Sequence, residues 1–257
     1  MRGITSKSSI KAVSLMAKEK AKILMLVEGA KTDVKLMTHL LEVFGIDNNH
    51  TIVSYNTNIY TLYNEMFADG DPESKDILQV LKAHETNTDK KAIFDERYSD
   101  ILLIFDLDPQ DDHYSADKIT EMAEYFVESS DMGKLYINYP MVEAFYHMKY
   151  IPDNDYNSYV VSMDELRSHS YKGRVNRENR NRDYNKFAVD KAECSIVIRQ
   201  NIEKAEMIAG SFDKEFYPDL TELLKKQTMK LSEEKQLYVL CTCAFYIVDY
   251  SPKLIGQ

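Results

Sequence analysis

The chain has 257 residues, enough for one large domain or a core domain with an appendage. Its apolar content of 44% and aromatic content of 11% exclude a chain disordered throughout. A formal charge of −10, from 42 acidic against 32 basic residues, excludes a protein that coats nucleic acid by overall charge, though not one with a local basic patch. Cys194, Cys241 and Cys243 form neither a disulfide framework nor a CxxC zinc site, which implies a reducing compartment. No apolar stretch reaches the length of a membrane span, so a cytoplasmic protein with no membrane partner is expected.

Residues 1–20 are basic and serine-rich without the apolar core of a secretory signal, and are read as an N-terminal arm. Residues 22–27 (KILMLV) form a short apolar run suited to a buried strand, ending at Glu28-Gly29. Thr32 or Asp33 can cap a helix whose apolar positions Val34, Met37, Leu40, Leu41 and Phe44 recur at helical spacing, and Gly45 stops it. A strand at 51–55, a helix at 59–67, a turn at 69–72 and a helix at 73–84 follow, then a polar loop over 85–98. Next come a strand at 100–105, a helix at 116–129, a strand at 135–138 and a helix starting near Met141. This alternation predicts an α/β fold over residues 21–152, a parallel sheet with right-handed crossovers and helices on both faces. Residues 153–160 read as a polar loop or edge segment. Helical patterns at 192–208, 220–230 and 233–246 make 153–257 a mainly helical C-terminal region.

The chemistry concentrates at SDILLIFDLDPQDD, where five apolar residues run into Asp106, Asp108, Asp111 and Asp112. On an extended chain Asp106 and Asp108 point the same way and repel each other unless a cation lies between them. Oxygen ligands of this kind suit magnesium, manganese or calcium. The competing reading is a solvated acidic loop with Pro109 as its turn residue. Glu28 ends another predicted parallel strand, so Glu28, Asp106 and Asp108 reach the same sheet edge and can form one metal site. A favourable carboxylate near a helix N-terminus is the alternative for Glu28. Glu143, in the first turn after the strand at 135–138, is read either as a second-metal ligand or water-positioning base, or as a simple first-turn glutamate. Asp111 and Asp112 fit capping better than ligation. Lys31 fits either a phosphate contact or a solvated lysine. His39, His113 and His147 are scattered structural histidines, and no phosphate loop GxxxxGK[ST] or Ser-His-acid set occurs.

The tract YKGRVNRENRNRDYNK, residues 171–186, holds Lys172, Arg174, Arg177, Arg180, Arg182 and Lys186 against only Glu178 and Asp183. It is either a nucleic-acid-binding surface, with Tyr171 and Tyr184 for stacking, or a solvated loop pairing with the protein's own acids.

The ordered pair LMLVEG and LLIFDLD resembles the Toprim domain over about residues 21–150. That resemblance implies that Glu28 is a general acid/base or metal-positioning residue. It also implies that Asp106 and Asp108 bind Mg2+, with Mn2+ as a substitute. A closer resemblance is carried by VEGAKTDV, TNIYTLY, IFDLD and INYPMVEAFYH. It is to the RloB-like and PARIS-type Toprim nucleases of prokaryotic phage defence, which are related to the OLD-family nucleases. Two departures stand out: Tyr139 separates Asn138 from Pro140 ahead of Glu143, the matching acid, and Asp33 lies one residue later than the group's second acid. The resemblance implies a toxic effector nuclease cutting RNA, including tRNA, or DNA, with an ABC-type ATPase as partner. Two other readings stand beside it. One is a haloacid-dehalogenase-like phosphatase with Asp106 as nucleophile, against which two strands and Glu28 precede Asp106. The other is a non-catalytic Toprim-like scaffold that binds a partner protein. Assembly into a homo-oligomer is left open.

Overall fold

The computed structural model describes residues 22–130, 132–210 and 217–256. The N-terminal arm expected over 1–20 lies outside the described residues. From the first described residues the chain runs β1 (Ile23–Val27), α1 (Thr32–Phe44), β2 (His50–Ser54), α2 (Ile59–Phe67), α3 (Ile77–His84), α4 (Thr88–Lys91), β3 (Asp100–Asp106), α5 (Ala116–Tyr125), β4 (Val127–Glu128) and β5 (Gly133–Asn138). The sheet order is β2-β1-β3-β5-β4, with β4 antiparallel at one edge and the other four strands parallel. All of β1, and β3 from Ile101 onward, is buried, as the unbroken apolar runs require of strands covered on both faces. Right-handed crossovers put α1 on one face and α2, α3 and α5 on the other. Helix α1 begins at the expected place and ends at Gly45, whose φ of 69° is the left-handed stop that glycine adopts readily.

Three local expectations fail in this half. The loop over 85–98 contains α4, capped by the Asn87 side chain, and a 3-10 turn at Ala92–Asp95. The helix expected through 129 ends at Tyr125, because Phe126 turns inward against Phe67 and Tyr125 and the chain doubles back as β4. The helix expected from Met141 is only a 3-10 turn, Val142–Tyr146. All five of its residues are buried, leaving no polar face on which a surface helix could continue.

The second half contains β6 (Val160–Ser162), α6 (Met163–Arg167), α7 (Tyr171–Glu178), α8 (Lys191–Ala209), α9 (Leu220–Glu234), β7 (Gln236–Tyr238) and α10 (Tyr246–Tyr250). The helix expected over 233–246 is overturned. Lys235 turns the chain at φ 58°, β7 pairs antiparallel with β6, and residues 239–242 run to the main sheet. There Leu240 bridges Tyr139, the Thr242 hydroxyl donates to the Ile137 carbonyl at 2.8 Å, and the Cys243 N–H donates to Asn138 Oδ1 at 3.2 Å. The run LYVLCTCAFYIV is apolar on every side, so periodicity could not separate helix from strand, and backbone pairing decides. Cys241 and Cys243 are buried thiols, as expected. Helices α8 and α10 pack with α1, and α9 packs with α5. One hydrophobic cluster joins Leu103 and Phe145 to Ile198, Leu224 and Phe245, so the C-terminal region shares the core of the sheet. No helix of the described residues is long and apolar enough to cross a membrane.

Lys204 of α8 is fully buried. Its Nζ donates to the Tyr156 and Tyr159 carbonyls at 2.7 and 2.8 Å and lies over the Tyr156 ring. Burial pulls its pKa down to about 6, with Asp153 acting in the opposite direction. Between that value and the ordinary lysine range the unfolded chain carries a proton that the folded chain lacks. This contribution therefore makes stability rise with pH across that window. Between about pH 7 and 9, wild-type stability should rise relative to Lys204→Met by about 1.4 kcal/mol per pH unit in urea unfolding. Parallel pH profiles would show that Lys204 keeps its proton in the fold.

Candidate metal centre

Glu28 follows β1 directly and its backbone is fixed on both sides. Its N–H donates to the Ile104 carbonyl of β3 at 3.0 Å, and its carbonyl accepts from Asn56 beyond β2 at 2.9 Å. Asp106 is the last residue of β3, so the parallel register delivers both carboxylates to one sheet edge, where open α/β sheets place their ligands. The Asp106 N–H donates to Glu28 Oε2 at 3.1 Å. Asp106 Oδ1 in turn accepts from the Val142 N–H at 2.8 Å and, over a long 3.4 Å, from Asn138 Nδ2. Asp108 arrives differently from the expectation. The strand has already ended, and Asp108 takes a left-handed φ of 39°, with its N–H on the Pro140 carbonyl at 3.2 Å. A backbone turn, not strand alternation, aims it. Aspartate tolerates that conformation better than most residues do. The buried Tyr60 hydroxyl steadies the same loop by donating to the Leu107 carbonyl at 2.6 Å.

One carboxylate oxygen from each of Glu28, Asp106 and Asp108 lies within 4.8 Å of the other two, a spacing that can hold a metal ion. Two further carboxylates adjoin them. Glu143, in the 3-10 turn after β5, is only 3% exposed; its Oε1 meets Lys172 Nζ at 3.1 Å, while its Oε2 is buried without a partner. Asp33, in the first turn of α1, is 5% exposed, and its Oδ1 is also buried without a partner. Gly29 makes room for it: a Cβ there would stand 2.6 Å from Asp33 Oδ2.

Burial raises the proton affinity of this group and mutual repulsion adds to it. Glu28 is pushed up to about 8 by desolvation, with Asp108 and Asp33 adding to the rise and the Asp106 N–H opposing it. Asp33 is pushed up to about 6 by desolvation and by Glu143, against hydrogen bonds from backbone N–H groups. Desolvation also raises Asp106 well above the ordinary range, together with the charges of Glu28, Asp33, Asp108 and Glu143. Asp108 is raised by burial, against a hydrogen bond from Gln110. Lys172 is partly desolvated, but Glu143, Asp106 and Asp108 hold its charge more firmly than usual. An all-oxygen set with two orphaned oxygens and raised proton affinities fits a hard divalent cation.

The four acidic candidates thus meet. The six basic ones do not form one surface. Lys172 belongs to the acidic centre, Arg174 pairs with Glu165 and Glu178, Arg180 makes a two-point pair with Glu193, and Lys186 faces Asp183. Tyr171, expected to stack on bases, is buried beside His147. Arg177 and Arg182 remain exposed. Asp111 binds the Asn58 side chain and the His113 N–H, a capping role, and Asp112 is exposed. His147 is buried between Tyr171 and Glu178, and His39 meets the Ala188 carbonyl. The sequence reading missed the role of Tyr60, and placed Asp33 only as a cap or a displaced second acid and Lys172 only in the basic tract. Comparison with family models, curated proteins and solved structures gives no match to this chain.

A folded-state carboxyl pKa raised above its unfolded value stabilises the fold at low pH, and that contribution is lost as pH rises through the folded pKa. Measured against Glu28→Gln, so that the opposing Lys204 contribution cancels, metal-free stability should therefore fall between about pH 5 and 8. At about pH 7, Mg2+ or Mn2+ should release about one proton, read as calorimetric heats that vary with buffer ionisation enthalpy. Buffer-independent heats would show that the carboxylates are already ionised. Gly29→Ala should displace Asp33 and weaken magnesium binding about tenfold or more. Unchanged affinity in the same titration would remove Asp33 from the site.

Proposed function

We propose that the chain is a Toprim-type, metal-dependent nuclease that hydrolyses phosphodiester bonds in RNA, including tRNA, or in DNA. The observation that carries this reading is the convergence of Glu28, Asp106 and Asp108 from two parallel strand ends, within reach of a single cation. A bound Mg2+ or Mn2+ would neutralise the scissile phosphate and lower the pKa of water beside it. Glu28, Asp106 and Asp108 would hold that ion. Glu143 and Asp33, with orphaned oxygens at the same edge, would hold a second ion or orient the attacking water. Lys172 supplies a positive charge at the rim, where the phosphate would enter.

The resemblance of VEGAKTDV, IFDLD and INYPMVEAFYH to phage-defence effectors supports a toxic nuclease restrained or triggered by an ABC-type ATPase. A scaffold without activity needs no cluster of five carboxylates, three of them buried and two half-buried. Such a cluster costs folding free energy unless a cation uses it.

Purified protein incubated with RNA and DNA in Mg2+ or Mn2+ should cut at least one of them. Glu28→Ala and Asp106→Ala should each lose at least about 100-fold, the upper end for removing a mere supporting group of a metal site. Equal cleavage by the wild type and both variants would sink the assignment.

A further inference from the structure

Beside the acidic centre lies a cavity of about 400 Å3 lined by Lys31, Lys35, Tyr146, Arg182, Asp183 and Tyr184, among others. It adjoins the centre through the chain itself, since Lys31 is three residues beyond Glu28 and Tyr146 three beyond Glu143. The charge of Glu143 is also felt at the Tyr184 hydroxyl. Lys31 and Lys35, one turn apart at the start of α1, share a helix face. Neither they nor Arg182 makes an ion pair among the described residues, although the chain carries a net charge of −10. The acid on the lining, Asp183, is already engaged. Its Oδ1 accepts from the Asn185 N–H at 3.0 Å, and its Oδ2 faces Lys186 at 3.8 Å. The Tyr184 ring stacks on Tyr146 at 4.3 Å, and its hydroxyl is buried with no hydrogen-bond partner. Three unpaired cations around one cavity make a place for an anion with several oxygens.

We propose that this cavity is a phosphate subsite, holding the backbone phosphate next to the scissile one in a single strand of nucleic acid. The proposal rests on reading the acidic centre as a phosphodiesterase site. Lys31, Lys35 and Arg182 neutralise the phosphate. Such contacts fix the strand's register without reading base sequence, and the attraction fades with salt.

The test is binding of a short, fluorescein-labelled, mixed-sequence single-stranded RNA to the full chain in EDTA, across a salt series. Replacing Lys35 and Arg182 together by alanine should weaken binding at least about tenfold at low salt. The log–log salt slope should fall by about 0.7 for each phosphate that is no longer neutralised. Lys35→Arg with Arg182→Lys should keep the wild-type slope, and so should Lys226→Ala on the exposed face of α9. Unchanged circular dichroism and magnesium stabilisation in the alanine variant would exclude misfolding. No detectable wild-type binding, or equal slopes in wild type and the alanine variant, overturns the subsite. The metal centre is judged separately: a reduced slope without any Mg2+- or Mn2+-dependent cleavage keeps the subsite and removes the nuclease reading.

Discussion

Repulsion among buried carboxylates is the constraint on which the rest of this molecule depends. At an effective dielectric of 20, two unit negative charges 4.8 Å apart oppose each other by about 3–4 kcal/mol, and five acids share this sheet edge. The fold answers with protons, N–H donors and one lysine. Glu28 and Asp33 hold their protons more firmly, the Asp106 and Val142 N–H groups point at Glu28 and Asp106, and Lys172 reaches Glu143. Each remedy is local and reversible. A cation can replace the protons without moving the backbone, because Glu28 and Asp106 stand on strands braced from both sides.

The sheet was legible because its central strands are buried on both faces and therefore uninterrupted in sequence, as ILMLV and ILLIF are. Strand ends are the most readable part of such a sheet, so the sequence alone puts Glu28 and Asp106 on one edge. Asp108 was placed there for an incomplete reason. The expected alternation would have served, but the chain leaves β3 at Asp106 and turns through a left-handed residue. Glu143 was also placed correctly, although its helix is a single tight turn. Asp33 was read as a cap, or as a second acid one residue out of step, because nothing in the sequence shows that Gly29 leaves room for its carboxylate.

Long-range pairing accounts for the remaining misreadings. Cations in the tract 171–186 look alike in sequence, yet Arg174 and Arg180 answer Glu165, Glu178 and Glu193, and Lys172 answers an acid nearly thirty residues earlier. The run around Cys241 looked helical because its apolar residues have no polar side to reveal a period. Its backbone bonds to Tyr139 and Asn138 could only be known from the fold.

The bond to Asn138 also bears on the order in which the protein is made. Asn138 donates to Asp106 while accepting the N–H of Cys243, more than a hundred residues downstream. The pairs β1–β3 and β3–β5 involve no residue beyond Asn138. Asn138, however, stays free to rotate until Cys243 has been added and folded back. The carboxylate edge therefore has its full set of hydrogen bonds only once that distant segment has docked. A nascent chain carries the acidic residues long before it carries their finished arrangement.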